Sequence, residues 1–415
     1  MPEHHLIFGH FIVLKECIQA LPRNTTMHVV VRHMARRFSN GVFCLNLWPF
    51  NMAVFIISDP VLASQVEAAF LDKPEAICTT MEVISGGPSL MTMYGNTWKK
   101  WRGLFNAGFA AGYVIGLAPA IADEVAVFCN LLQDRTKAGT MFQLEEYTLR
   151  FTFDVIGRVT LDARLHYQTQ GSALADCLRR QVYWTPFGTT FNPFRRYLSP
   201  RPVVQKYNSY RMNQYLDEEI DKRGSIIEGG FQKMAKPQLR MFLYAGHDTK
   251  SSTLLYCFIL LHRHQKFSPK SELNTTKFSA LNPLSSIHKE VLRIFPPAAT
   301  LREGRSDLVL VDDKDRQYPT RGCNIWVLDL AMHHCEDVFL KASRRALEWG
   351  PRSCIGQSLA QLELKVALVM KARMFDIAPA GGNMTVDGNR VYQAEMGGGG
   401  AHPVDGFPVR VTSRV

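Results

Sequence analysis

The chain has no Cys-x-x-Cys pair, no apolar run of membrane-spanning length and no phosphate-binding glycine loop, and each absence removes a class of function. Its nine cysteines (Cys17, Cys44, Cys78, Cys129, Cys177, Cys257, Cys323, Cys335 and Cys354) are scattered and odd in number, which excludes a disulfide framework and a zinc site. His333-His334-Cys335 reads as a loop, because adjacent residues rarely converge on one ion. The glycine run 397–400 lacks the strand-loop-helix context and the Lys-Ser/Thr of a phosphate cradle, and reads as a turn. The first apolar run, Leu6 to Leu14, is broken by Gly9 and His10 and closed by Lys15 and Glu16. That is far short of the roughly 20 residues a span requires, and without a basic leader and cleavage site it is not a signal peptide either.

What is present suits one large unit. At 415 residues and 46% apolar the chain can bury a sizeable core, and its aromatics are evenly spread. Apolar periodicity predicts helix through most of residues 60 to 265, with short extended runs at Phe43 to Ile57, Leu308 to Val311, Ile325 to Leu328 and Val409 to Val411. The fold class expected is mainly α with small β-sheets. The formal net charge is +11, yet Lys and Arg are dispersed and no nucleic-acid-binding module is legible, so no nucleic-acid partner is expected.

Chemistry concentrates at Trp349-Gly350-Pro351-Arg352-Ser353-Cys354-Ile355-Gly356-Gln357. Gly350 and Gly356 let the backbone turn tightly and approach a flat ligand. After Gly356, Leu359, Leu362, Val366 and Val369 recur at helical spacing, so Cys354 belongs just ahead of a helix N-terminus, where N–H groups and the helix dipole favour a thiolate. Arg352 could meet a carboxylate on the ligand. Gly350, Arg352, Cys354, Gly356 and Ala360 resemble the heme-binding signature of the cytochromes P-450, heme-thiolate monooxygenases.

Three further segments carry the resemblance in the family's order. Ala245-Gly246-His247-Asp248-Thr249, inside an apolar stretch from about Leu239 to Leu261, is similar to the central oxygen-activating helix: Ala245 and Gly246 would leave room over the heme, while Asp248 and Thr249 would pass protons. The bland alternative is a polar bend, with Thr249 bonded back to the preceding turn. Glu290-Val291-Leu292-Arg293, followed by Ile294-Phe295-Pro296-Pro297, resembles the Glu-x-x-Arg helix and its Pro-Pro turn. Glu290 and Arg293 share a helix face and can form a structural ion pair, and Arg302 would meet a heme propionate. Trp98-Lys99-Lys100-Trp101-Arg102 is similar to the Trp-x-x-x-Arg helix, whose Trp98 and Arg102 would approach the propionates.

The resemblance covers nearly the whole chain and implies a single cytochrome P-450 domain over residues 1–415. The cofactor implied is heme b (iron protoporphyrin IX), with Cys354 as axial iron ligand. The partners implied are O2, a small apolar substrate and an NADPH-cytochrome P-450 reductase docked on a basic face, for which Arg344, Arg345, Arg352 and Lys365 are candidates. Thr80 to Thr92, Phe242 to Gly246 and Ala298 to Leu301 would line the substrate pocket. The details look like filamentous-fungal members that tailor polyketides or terpenoids. Eukaryotic members sit on the cytosolic face of the endoplasmic reticulum membrane. Residues 1 to 23 look like the segment just downstream of their anchor, which is absent here, so cytoplasmic or peripheral membrane association is the alternative.

Four departures accompany the resemblance. The stretch between Thr249 and Glu290 is short and polar around 265–288. The segment 337–349 lacks the usual Pro-Glu-Arg region. Leu347 stands where the signature has phenylalanine, and Lys250 follows Thr249 where a small hydroxyl residue is usual. They leave two alternatives beside the monooxygenase: a non-catalytic or heme-deficient remnant, and a reductase-independent heme-thiolate isomerase or dehydratase, against which Asp248 and Thr249 argue.

Overall fold

A computed structural model describes the chain except residues 1, 6–7, 39–40, 49–51, 186–198, 223–228, 265–281, 336–350, 382–391, 396–399 and 415. In chain order the helices are α1 (Phe11–Gln19), α2 (Met27–Ala35), α3 (Pro60–Ala68), α4 (Glu75–Ser85), α5 (Gly95–Asn106), α6 (Ala111–Gly116), α7 (Ala118–Ala138), α8 (Leu144–Leu161), α9 (Ala173–Tyr183), α10 (Arg201–Lys222), α11 (Gly229–Arg263), α12 (Asn282–Ile294), α13 (Asp329–His333) and α14 (Gln357–Met374). The strands are β1 (Val42–Leu45), β2 (Ala53–Ile57), β3 (Phe142–Gln143), β4 (Thr300–Glu303), β5 (Val309–Val311), β6 (Gln317–Pro319), β7 (Cys323–Val327), β8 (Phe375–Pro379), β9 (Gln393–Glu395), β10 (Ala401–Pro403) and β11 (Pro408–Ser413). The mainly helical expectation is borne out. Phe43 to Ile57, read as one extended run, is an antiparallel pair instead, with Val42 opposite Ile57 and Leu45 opposite Val54.

The chain divides into two units. The first comprises Met1–Ile77, Leu292–Cys354 and Asn383–Glu395, built on a four-stranded sheet of order β1-β2-β7-β4. Alternation decides the faces of this sheet: Phe43, Leu45, Val54 and Ile56 pack with Val13, Leu14, Val30, Val31 and Met34 of α1 and α2. Ile57, Ile325 and Val327 join Leu62, Ala63 and Val66 of α3. The start of α3 follows from Asp59-Pro60: proline suits the first helical position, and the Asp59 carboxylate accepts from the N–H groups of Val61 (2.8 Å) and Leu62 (2.9 Å).

The second unit comprises Cys78–Val291, Ile355–Gly382 and Met396–Val415. Its centre is α11, 35 residues long, which continues through Pro237 and beyond both ends of the apolar stretch. Helix α8 packs along it. Gly246 makes that approach possible, since a Cβ there would come within 2.7 Å of the Ile156 side chain. Arg240 is buried and crosslinks the unit, donating to the Ile84 carbonyl (2.6 Å) at the end of α4 and to Ser209 Oγ (2.7 Å) on α10. A small sheet of order β3-β11-β8 completes it, with Val411 opposite Ile377.

Candidate functional site

The thiol segment ends where the spacing places it: Cys354 lies three residues before α14. It is exposed and in no disulfide. Burial makes poor thiolates of several others, pushing Cys44 and Cys129 up to about 11 and Cys257 higher still; Cys335 is also exposed but directly precedes no described helix. Arg352, within the first unit, is turned inward: its guanidinium lies 5.0 Å from the centre of the Phe70 ring and 3.9 Å from Asp72 Oδ1. A side chain held there does not contribute to an exposed basic face. Gly356 accepts from the Ala360 N–H (2.9 Å), starting α14 with both half-buried. Gly350, Arg344, Arg345 and Leu347 lie outside the described residues, as do 337–349 and most of 265–288.

On α11, Ala245 is exposed and Gly246 half-buried. Thr249 Oγ1 donates to the Ala245 carbonyl (2.8 Å), the back-bond of the bland alternative. The Asp248 carboxyl is buried, 6% exposed, and its partner comes from far along the chain. His402 on β10 approaches Asp248 Oδ1 with Nε2 (3.0 Å) and Glu145 Oε1 of α8 with Nδ1 (2.6 Å). Carboxylate oxygens only accept, so two of them this close to the ring nitrogens favour the doubly protonated, charged imidazole. Burial alone would lower the His402 pKa, but the charges and hydrogen bonds of Asp248 and Glu145 raise it to about 10. Burial pushes Asp248 up, and the His402 cation, with smaller help from His247 and Arg179, brings it below the usual carboxylate range.

The backbone at His402 is fitted to this contact. Ser252 on α11 donates to the Ala401 carbonyl, and a Cβ on Gly400 would come 2.2 Å from Asp248 Oδ2. Asp248 and His402 line a cavity of about 380 Å³ together with Glu145, Asp176, Arg179, Arg180, Tyr183 and Tyr244, among others. Arg179 is fixed beside it by two bonds to Glu146 (3.0 and 2.8 Å) and one to Tyr167 Oη (2.8 Å).

Lys250, the departure next to Thr249, has a structural reason. Its ammonium donates to Glu363 Oε2 on α14, and both side chains are almost fully enclosed, 4% and 1% exposed. Burial pushes Glu363 up to about 7 against the pull of Lys250. Sequence reasoning missed Glu363, Glu145 and His402. Glu363 carried a usable signal, an acid inside the apolar stripe of Leu359, Leu362 and Val366. Glu145 and His402 carried none, since their partner is 154 residues from His402 in sequence.

The remaining expected residues occupy defined positions. Trp98 is buried on α5 and Arg102, half-buried on the same helix, lies 6.0 Å from its ring centre and donates to Asn106 Oδ1 (3.0 Å). Arg302 is buried on β4, opposite Ile325 of β7. Glu290 and Arg293 share α12, and Arg293 donates to the carbonyl of His333 at the end of α13. Phe242 of the expected pocket packs on Phe105 (4.9 Å) and Phe109 (5.2 Å). Among the described residues no three His, Cys, Asp or Glu side chains gather as a metal site. One exposed thiol at the head of a helix, with buried arginine and tryptophan elsewhere, is a donor set that fits an iron carried in a macrocycle and taking a single protein ligand.

The comparisons with known proteins agree with this. The cytochrome P450 monooxygenase polC of Polytolypa hystricis is 29% identical, with 99% of this chain and 89% of that protein covered. The cytochrome P450 monooxygenase acrF of Aspergillus aculeatus is 25% identical, with 90% and 94% covered. The crystal structure of the cytochrome P450DA heme domain superposes with a TM-score of 0.78 at 18% identity, over 100% of this chain and 97% of that one, which establishes the fold. The model of the family described as Cytochrome P450 matches residues 1–234, more than half of the sequence, and the chain therefore belongs to the cytochrome P450 family, whose cofactor is heme.

Proposed function

We propose that the chain is a heme-thiolate monooxygenase in which Cys354 is the axial ligand and Asp248 and Thr249 handle protons. The substrate is a small apolar metabolite, of polyketide or terpenoid character in fungal secondary metabolism. The reading is carried by one observation: Trp98/Arg102, Asp248/Thr249, Glu290/Arg293 and Cys354 occur in the family's order, and Cys354 lies exposed at the head of α14. Heme, when bound through a thiolate, supplies the oxygen-activating iron, with electron donation from sulfur favouring O–O cleavage.

The chain's own residues do the rest. Cys354 supplies the sulfur, favoured as an anion by the amides of the following helix. Trp98, Arg102, Arg302 and Arg352 hold the propionates, Ala245, Gly246, Gly350, Gly356 and Ala360 make room for the ring, and Glu290 with Arg293 steadies the segment after α12. Asp248 accepts a proton at its carboxylate oxygens and passes it on, and Thr249 carries one at Oγ1. Electrons come from NADPH through a reductase. The proposed location is the cytosolic face of the endoplasmic reticulum membrane; no single helix among the described residues is long and apolar enough to cross a membrane.

A second reading has its own observation. The alignment with polC spans 496 positions against 415 residues here, so the chain is shorter internally than that relative, and we place the missing positions around 265–288 and 337–349. A chain so shortened that it no longer keeps heme would be a remnant. The absorption spectrum of the purified, reduced protein under carbon monoxide decides between them. A strongly red-shifted Soret band that vanishes in Cys354→Ala is expected for the monooxygenase. Its absence, or a band typical of histidine-ligated heme, overturns that reading.

A further inference from the structure

Asp248 lies at the wall of a half-open cavity bordered by α8, α9 and α11, and its carboxylate is held by a residue from β10. The hold is over-determined: His402 is 2% exposed and bridges Asp248 Oδ1 (3.0 Å) and Glu145 Oε1 (2.6 Å), while Gly400 closes against Asp248 Oδ2. On the cavity wall, α9 offers Asp176, Arg179 and Arg180, and α11 offers Tyr244 and His247. The charged and titratable groups that share this cavity with Asp248 are therefore His402 from β10, Glu145 from α8, Arg179, Arg180, Asp176 and Tyr183 from α9, and its neighbours Tyr244 and His247 on α11. A fixed cation touching a buried acid does two things a neutral hydrogen-bond donor cannot: it keeps the acid ionised and it sets the pH at which the acid accepts a proton.

We propose that His402 is a positioning residue for Asp248, and that the cavity between α8, α9 and α11 is the side from which Asp248 exchanges protons with solvent. This rests on the reading that Asp248 handles protons in turnover. The exchange itself balances simply: a proton leaves solvent water in the cavity, an O–H bond forms at the Asp248 carboxylate, and the same proton leaves again toward Thr249, with the His402 charge unchanged throughout.

His402→Gln is the deciding variant, since its amide N–H can still donate to Asp248 while the positive charge is gone. With reductase, NADPH and O2, the hydrogen peroxide released per NADPH is followed across pH, without added substrate, for the wild type, His402→Gln, Glu145→Gln and Asp248→Asn. The carbon monoxide band and thermal midpoint of each variant report heme and fold. The expected result is that His402→Gln keeps the band and moves the pH dependence upward by about one unit, the scale of one opposite charge beside a carboxylate, and that Asp248→Asn abolishes the dependence. Histidine-15N NMR of the reduced, carbon-monoxide-bound protein gives a readout apart from turnover: the His402 ring is doubly protonated at pH 8 in the wild type and loses a proton at lower pH in Glu145→Gln.

The outcomes separate the two claims. If Asp248→Asn leaves the peroxide ratio and its pH dependence unchanged, the proton-handling reading fails. If Asp248→Asn matters but His402→Gln does not shift the dependence, or the His402 ring is neutral at pH 8, only the present proposal is overturned. Should His402→Gln lose the heme band, Glu145→Gln decides through the NMR titration, because it leaves His402 in place.

Discussion

Two buried ion pairs flank Thr249 on α11 and behave in opposite ways. Asp248, beside a cavity, is held below the usual carboxylate range. Two residues on, Lys250 meets a carboxylate pushed up to about 7. Burial acts upward on both acids. What differs is the company each keeps: Asp248 has a charged, hydrogen-bonded His402 with His247 and Arg179 behind it, whereas Lys250 alone opposes the desolvation of Glu363. Depth does not set the charge state of a buried acid; the balance of neighbouring charge against depth does.

The largest effect is expected at His402. His402→Leu removes the cation between Glu145 and Asp248, and should cost about 3–5 kcal/mol at pH 7 in urea unfolding, the usual penalty for breaking a buried pair. Next comes Lys250→Met, whose cost should depend on pH. Without the ammonium, Glu363 folds best protonated, so stability falls as pH rises from its ordinary value near 4.5 through and beyond 7. A loss of about 2–4 kcal/mol at pH 8 that shrinks by pH 5 is expected, and a loss independent of pH would contradict the assignment. In the wild type, the raised His402 pKa gives stability fully present below about pH 6.5 and lost as pH climbs through about 10. A thermal midpoint that falls between pH 7 and 10, and falls less in His402→Gln, would show it.

Two glycines give smaller effects. Gly400→Ala should cost about 1–3 kcal/mol by overpacking, because its Cβ meets the carboxylate oxygen itself, and Asp248→Ala should relieve it in a double-mutant cycle. Gly246→Ala should fall at the lower end of the same range, since the atoms it meets belong to the Ile156 side chain. Adding Ile156→Val, which removes Cδ1, one of the two nearest atoms, should recover part of the loss in the same unfolding assay.

Helices and site differ in how much the sequence discloses. Leu239 to Leu261 marks α11, and Leu359, Leu362, Val366 and Val369 mark α14, because a long helix repeats its apolar signal several times. Strands of three residues such as β6 and β10 are too short to show a period of two, and β4, carrying Arg302, has only four. Cys354 is legible because its glycines, its helix and its isolation all lie within ten residues. Lys250 is legible only as an oddity, since its reason, Glu363, stands 113 residues away. His402 is silent for the same cause on a larger scale: nothing local distinguishes a histidine before a proline from any other.

That long reach also has a clock attached. Asp248 leaves the ribosome 154 residues before His402, which at about 5–20 residues per second is an interval of roughly 8–30 s. Throughout it α11 carries an acid whose permanent counter-charge has not been made, so the growing chain must either keep Asp248 wet or protonate it. The last strands of the protein thus complete an electrostatic circuit opened near its middle, and a nascent chain released before β10 would be missing the cation that α11 was built to receive.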